Sequence, residues 1–405
     1  MIGQDDQRDL AALVVAQQGV LETTQDLFEP FRLLDPAGQR IDSVAAFLSD
    51  LQGCGRPATT QRSYGMALLR WFRFLWAIDM AWHQATRVEA RDFCRWIQIV
   101  AKPGPMPPDR SPQAPNSVTG KAPRGPGYAP STRAHNETVL RGFYEFHLES
   151  GSGPIVNPFP LTRGRQRRPN DHHNPMEPFR RERSGLFRPR VVQQTPRRIP
   201  DEMFNELFTL LGSDRDRALV AFWVSTGARA SELLGTVRGD ADPGQQLITV
   251  IRKGSRALQQ LPASPDAFVW LRLYQARWEN VVPAGRDQPL WWTLRQPFRA
   301  LSYHAAYRMF SRVNAAMGAN WTLHDLRHTA AYRMARDPDM PLTDVQWVLG
   351  HAQLTTTQIY VSPLPEDVIA SVLAHYQRRG APRPTPPPSP YRPESLNVLF
   401  GTESK

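Results

Sequence analysis

The sequence predicts a mainly α-helical protein with one small β-hairpin, divided into two domains. Three observations carry this reading. Apolar residues recur at helical spacing through most of the chain. One short stretch, "LITVIRKGSRALQQLP" at 247–262, switches to a period of two. An arginine-rich stretch at 161–197 separates two helical halves, and 405 residues are enough for two or three domains with their own cores.

Residues 1 to about 100 read as helices. In "TTQRSYGMALLRWFRFLWAI", the stripe Tyr64, Leu68, Trp71 and Leu75 lies on one helical face, with Arg70 and Arg73 off it. Such aromatics are expected in a core, not on a surface that stacks bases. Residues 103–130 contain nine prolines and read as a long loop. Helix resumes at "STRAHNETVLRGFYEFHLES", with Ser131 or Thr132 as cap and Leu140, Phe143, Tyr144 and His147 on one face. Residues 1–160 therefore form a helical domain, and 161–197 an interdomain linker.

The second domain, 198–376, opens at "IPDEMFNELFTLLG", where Pro200 suits a first helical turn. A single helix is expected through "DRALVAFWVSTGARASELLGT", then the hairpin with its turn near Lys253-Gly254-Ser255. Helices are expected at 266–279, 302–317 and about 322–336. "LTDVQWVL" should stop at Gly350 in a left-handed cap. A last helix at 365–376 puts Ile369, Val372, Leu373 and Tyr376 on one side. Residues 377–405, with seven prolines between 381 and 393, read as a disordered tail.

Net charge is +11 and the isoelectric point about 10.1, which points to a polyanionic partner. The excess is concentrated: residues 161–198 hold eleven arginines against three acidic residues. Arg163, Arg165, Arg167, Arg168, Arg180 and Arg181 lie in this run. They are expected to attract phosphates by releasing condensed counterions, so binding should weaken steeply with salt. No apolar run is long enough to span a bilayer. The start "MIGQDDQRDLAALVVAQQG" lacks the pattern of a signal peptide. Cys54 and Cys94 have neither a disulfide framework nor metal-ligand spacing, which suggests a reducing, cytoplasmic location.

The chain holds 49 Lys plus Arg, of which only Lys102, Lys121, Lys253 and Lys405 are lysines. Lysine on the expected hairpin turn is therefore conspicuous. Around it stand Arg229 in "TGARASELLGT", His324 and Arg327 in "HDLRHTAA", and His351 and Tyr360 in "LGHAQLTTTQIYV". Singly, each has an ordinary explanation. Arg229 can pair with Glu232, the histidines can bond helix ends, and Tyr360 can be a half-buried aromatic. Together they supply what phosphoryl transfer needs: two guanidinium forks, two imidazoles, an ammonium and a phenol.

The order Arg, Lys, His-x-x-R, His, Tyr, with nine residues from His351 to Tyr360, resembles the tyrosine recombinases, or phage-type integrases. The resemblance is close over about 198–376 and covers the N-terminal half only in kind. It implies a two-domain C-shaped clamp on DNA, with a helical core-binding domain facing an α+β catalytic domain. It also implies that Tyr360 attacks a backbone phosphorus, giving a 3′-phosphotyrosyl link and a free 5′ hydroxyl. Arg229 and Arg327 would grip the non-bridging oxygens, and His351 would bond the same phosphate. His324 would assist proton transfer near the nucleophile. Lys253 would protonate the leaving oxygen, since lysine as a type releases a proton more readily than arginine. Glu232 and Asp325 read as structural braces, and His328 is expected to face elsewhere on its helix.

No metal or cofactor is called for. The implied partners are double-stranded DNA recombination sites, on which a homotetramer assembles away from any membrane, in a cytoplasmic, nucleoid-associated setting. The helix after Tyr360 would dock on a neighbouring protomer or pack its apolar stripe on its own domain. Two other readings remain: a type IB topoisomerase-like enzyme that nicks and reseals, and a DNA-binding protein that keeps the fold without activity.

Overall fold

A computed structural model describes residues 8–103, 114–123, 125–162, 184–189, 197–360 and 365–380. The fold is mainly helical with small sheets, and the chain divides into two compact units. One comprises Met1–Pro115 and Ala122–Gln194, the other Asn116–Lys121 and Thr195–Lys405.

The first unit begins with a β-hairpin, where helices were expected. Strands β1 (Val20–Thr23) and β2 (Phe31–Leu34) pair antiparallel, Val20 opposite Leu34. Each strand has only four residues, too few for a period of two to stand out. Among the described residues the α-helices that follow are α1 (Asp42–Gly53), α2 (Ala58–Ala77), α3 (Arg87–Ile99) and α4 (Pro130–Glu149). The aromatic stripe of α2 is core, as expected. Leu68, Trp71 and Leu75 are fully buried, with Phe143 and Tyr144 of α4 in the same cluster. Buried polar tips are paired: the Trp71 indole N–H donates to the Tyr144 hydroxyl, which donates to the Trp82 carbonyl. The start of α4 differs from expectation. Its N-cap is Ala129 and Pro130 takes the first turn, where a missing N–H costs nothing.

The second unit contains α5 (Asp201–Thr209), α6 (Asp214–Thr226) and α7 (Ala230–Leu234). Pro200 lies just outside α5, as its N-cap. The single helix expected through 216–236 is broken. Gly227 ends α6 in the left-handed region at φ +61°, and a Cβ there would meet Leu349 at 2.8 Å. The break puts Arg229 at the N-cap of α7.

A three-stranded antiparallel sheet follows: β3 (Ala241–Asp242), β4 (Leu247–Ile251) and β5 (Leu258–Pro262). The expected hairpin is β4–β5, with Ile251 opposite Leu258 and a turn at 253–255. Helices α8 (Pro265–Arg277), α9 (Tyr303–Ala316), α10 (Leu323–Ala335) and α11 (Leu342–Leu349) build the core with α6. Gly350 ends α11 at φ +63°, as the sequence predicts. Short α12 (Leu354–Gln358) leads to Tyr360, and α13 (Pro365–Gly380) comes last among the described residues. Part of the proline-rich loop belongs to this unit: Asn116 donates to the Gly318 carbonyl at 2.8 Å and Thr119 to the Asn320 side chain at 2.5 Å.

Among the described residues, no helix is long and apolar enough to cross a membrane. Arg163, Arg165, Arg167, Arg168, Arg180 and Arg181, expected to touch DNA, lie outside the described residues, as does the tail from 381 onward.

Candidate active site

The site is assembled where the ends of α6, α10, α11 and α12 meet the β4–β5 turn. Helix α10 is started by a capping box. The Thr322 hydroxyl accepts from the Asp325 N–H, and Asp325 accepts from the Thr322 N–H at 2.7 Å. Asp325 thus braces this helix, as expected, and fixes the register that presents His324, Arg327 and His328.

Arg327 is buried, 2% exposed. Its fork joins three segments. One arm donates to the Gly227 carbonyl at 2.7 Å, and the other to the Leu349 carbonyl at 2.7 Å and to His351 Nε2 at 3.0 Å. Burial and the nearby Arg229 cation push its pKa down to about 10, so it stays charged at neutral pH. Because a guanidinium can only donate, His351 Nε2 must accept. His351 Nδ1 then carries the proton and donates to Thr357 Oγ1 at 2.9 Å. Burial, with the cations of Arg327 and Arg229, pushes His351 down to about 4, which keeps the ring neutral. Both of its nitrogens therefore have protein partners in this arrangement.

Tyr360 packs with Ala331, Val345 and Leu349 and is 5% exposed. Its ring lies parallel to that of His351, centroids 6.3 Å apart. Burial raises the phenol above its ordinary value, against the opposing pull of Arg327 and Arg229. Its hydroxyl is 2.8 Å from His328 Nδ1. His328 therefore faces the site, contrary to expectation. It follows Arg327 directly on α10, and Tyr360 arrives against the side of the helix that this one-residue turn exposes. The His324 ring stands edge-on to His328, with centroids 4.4 Å apart. Desolvation, with the cations of Arg327 and Arg229, holds His324 below the usual imidazole value.

Glu232 ties the remaining members together. Its buried carboxylate accepts four N–H groups: Arg229 N and Arg229 Nη1, both at 2.9 Å, Lys253 N at 3.0 Å, and Arg252 Nη1 at 3.1 Å. Burial opposes its charge, but these donors and the Arg229 cation hold it below the ordinary carboxylate range. Glu232 thus braces Arg229, as expected, and also sets the hairpin turn from which the exposed Lys253 side chain projects. Arg252 had no assigned role. Buried beside Glu232, it also donates to the Val348 carbonyl and to Gln259. A Cβ on Gly350 would approach its guanidinium to 3.1 Å, so the glycine leaves room for it.

Of the six sequence-predicted residues, Arg327, His351 and Tyr360 are in direct or ring contact. His324 joins them through His328, while Arg229 and Lys253 share Glu232. The site thus gathers a phenol, three imidazoles and two guanidiniums within one helical unit. Residues 201–366 match the profile of the phage integrase family.

A tyrosine recombinase XerC of Serratia marcescens is 32% identical over 195 residues, which cover 47% of this chain and 60% of the relative. A tyrosine recombinase XerD of Neisseria meningitidis serogroup B is 28% identical over 178 residues, 42% of this chain and 60% of the relative. The chain thus spans 60% of the length of these two relatives. A lambda integrase dimer bound to a COC' core site superposes with a TM-score of 0.51 at 14% identity, covering 88% of this chain and 81% of that one. The Tn1549 transposon integrase in complex with circular intermediate DNA gives 0.53 at 13% identity, covering 82% and 98%. At such identities the likeness is one of fold.

Proposed function

We propose that the protein is a site-specific DNA recombinase that cuts and rejoins strands through a 3′-phosphotyrosyl intermediate. The observation that carries this reading is the chain of contacts from Arg327 to His351 to Tyr360. A phenol lies within one protomer beside a buried guanidinium that stays charged at neutral pH. The phenolic oxygen of Tyr360 would attack phosphorus, the bond to the 5′ oxygen would break, and the departing oxygen would take a proton from Lys253. Arg229 and Arg327 would stabilise the charge that builds on the non-bridging oxygens. The link preserves the phosphate ester for rejoining to another strand. Relatives named as recombinases, and neighbours solved on DNA, support the substrate class.

The apolar face of α13 supports assembly of protomers, which we take to be a tetramer on paired DNA sites. Val368, Ile369, Val372, Leu373 and Tyr376 are all exposed there, so a second protomer would have a surface to cover.

The test is a nicked suicide duplex carrying a recombination site of the host element. The expected result is a covalent protein–DNA adduct from the wild type and none from Tyr360→Phe. A wild type that binds the site without forming an adduct would remove this reading in favour of an inactive DNA-binding protein. Recombinant products from two-site DNA separate recombination from simple nicking and resealing. A further expected outcome concerns Lys253→Arg, which should cleave ordinary DNA about 10²–10⁴-fold more slowly. Its rate should return on a 5′-bridging phosphorothiolate, whose thiolate leaves without a proton. Unrescued cleavage there would take the acid role away from Lys253.

A further inference from the structure

We propose that His328 takes the phenolic proton of Tyr360 as the tyrosine attacks. The inference rests on the reading of Tyr360 as nucleophile and assigns a residue that the six-member constellation leaves out. Three facts carry it. Tyr360 is 5% exposed, so its hydroxyl proton needs an acceptor inside the protein, and His328 Nδ1 stands 2.8 Å away. A phenol is the better donor and an imidazole nitrogen the better acceptor, so the O–H donates to Nδ1 and the His328 proton sits on Nε2. The other imidazole against the phenol, His351, has both nitrogens committed, to Arg327 and to Thr357. His324 lies on the ring of His328. It stands behind the acceptor and is not itself the acceptor.

The step balances. The Tyr360 O–H bond breaks and its proton forms an N–H bond at His328 Nδ1, while the phenolic oxygen bonds to phosphorus. The bond from phosphorus to the 5′ oxygen breaks, and that oxygen receives its proton from Lys253. In rejoining, the 5′ hydroxyl gives its proton back to the neutral Lys253 amine as its oxygen bonds to phosphorus, the bond from phosphorus to the phenolic oxygen breaks, and His328 returns its proton to that oxygen. The titratable and charged groups facing His328 are His324, Asp325 and Arg327 on its own helix, and His351 and Tyr360 from the segments after α11 and α12. Burial and the neighbouring His324, Arg327 and His351 push His328 down to about 4, which keeps the acceptor nitrogen free of a proton at neutral pH. Negative charge gathering on the phosphate would raise its proton affinity at the moment of transfer.

The experiment follows single-turnover cleavage of the nicked suicide duplex by wild type, Tyr360→Phe and His328→Asn, with unfolding temperature and DNA affinity measured alongside. Asparagine keeps a polar atom near the Nδ1 position but cannot carry the proton. His328→Asn should bind DNA like the wild type and form the adduct about 10²–10⁴-fold more slowly. It should stay slow on the 5′-bridging phosphorothiolate, on which Lys253→Arg recovers, because the missing proton transfer is at the nucleophile. Cleavage by His328→Asn within about tenfold of wild type, below the range for a lost acid–base group, overturns the inference and leaves Tyr360 as nucleophile. So does recovery on the phosphorothiolate. No adduct from wild type removes both. Should His328→Asn not fold, His328→Gln is judged by the same criteria.

Discussion

Replacing Arg327 with alanine is expected to slow adduct formation about 10³–10⁵-fold, a loss of about 4–7 kcal/mol of transition-state stabilisation. It should also lower the unfolding temperature, because the side chain has two jobs. In the proposed reaction its charge would stabilise the negative charge that builds on the phosphate, and burial would strengthen that attraction. Its fork also satisfies the carbonyls of Gly227 and Leu349, at the ends of α6 and α11, and the acceptor nitrogen of His351. Alanine leaves three buried acceptors without donors, each costing about 1–3 kcal/mol where water cannot enter. Arg327→Lys separates the two jobs. It keeps the charge, but a single ammonium cannot reach both carbonyls and the imidazole in the planar geometry of the fork. It should recover part of the stability and little of the rate. Single-turnover cleavage and thermal unfolding of both variants decide this. Full activity in Arg327→Lys would mean that charge alone matters and that the fork does not.

The contacts of Arg327 also explain what the sequence could and could not reveal. The order of the boxes and the stop at Gly350 are local signals. Gly350 was read correctly because a left-handed residue after an apolar run has few alternatives. Gly227 was read through, because the apolar pattern continues on both sides of it. Only the packing of Leu349 and the demand of Arg327 for its carbonyl show why the chain turns there. The β4–β5 hairpin is legible because five-residue strands alternate visibly, whereas β1 and β2 are too short to do so.

His328 was missed for a different reason. A helical wheel separates neighbours by about 100°, which seemed to turn it away from Arg327. The wheel says nothing of what arrives on the next face, and here Tyr360 arrives from α12. Arg252 was hidden by composition: in a chain so rich in arginine, no single one draws notice. Its burial against Glu232 is a property of the fold alone.

Glu232→Gln should cost about 3–5 kcal/mol of stability, the range for breaking a buried ion pair on one side. The shape of the side chain is kept, so the loss reports on charge and hydrogen bonding. All four neighbours of the carboxylate are N–H donors: two from Arg229, one from Arg252 and one from the Lys253 backbone. An amide nitrogen in place of either oxygen would point donors at donors, and would leave Arg252 charged and buried without its partner. The same substitution should slow cleavage, since Arg229 and the Lys253 turn would lose the group that fixes them together. The folded carboxylate lies below its ordinary value of 4.5. Its contribution is therefore complete above that value and is lost as pH falls through the lower folded one. The gap in unfolding temperature between wild type and Glu232→Gln should be widest near neutral pH and should narrow on acidification below 4.5. A gap that stays constant into acid would show that the carboxylate charge does not hold these two segments.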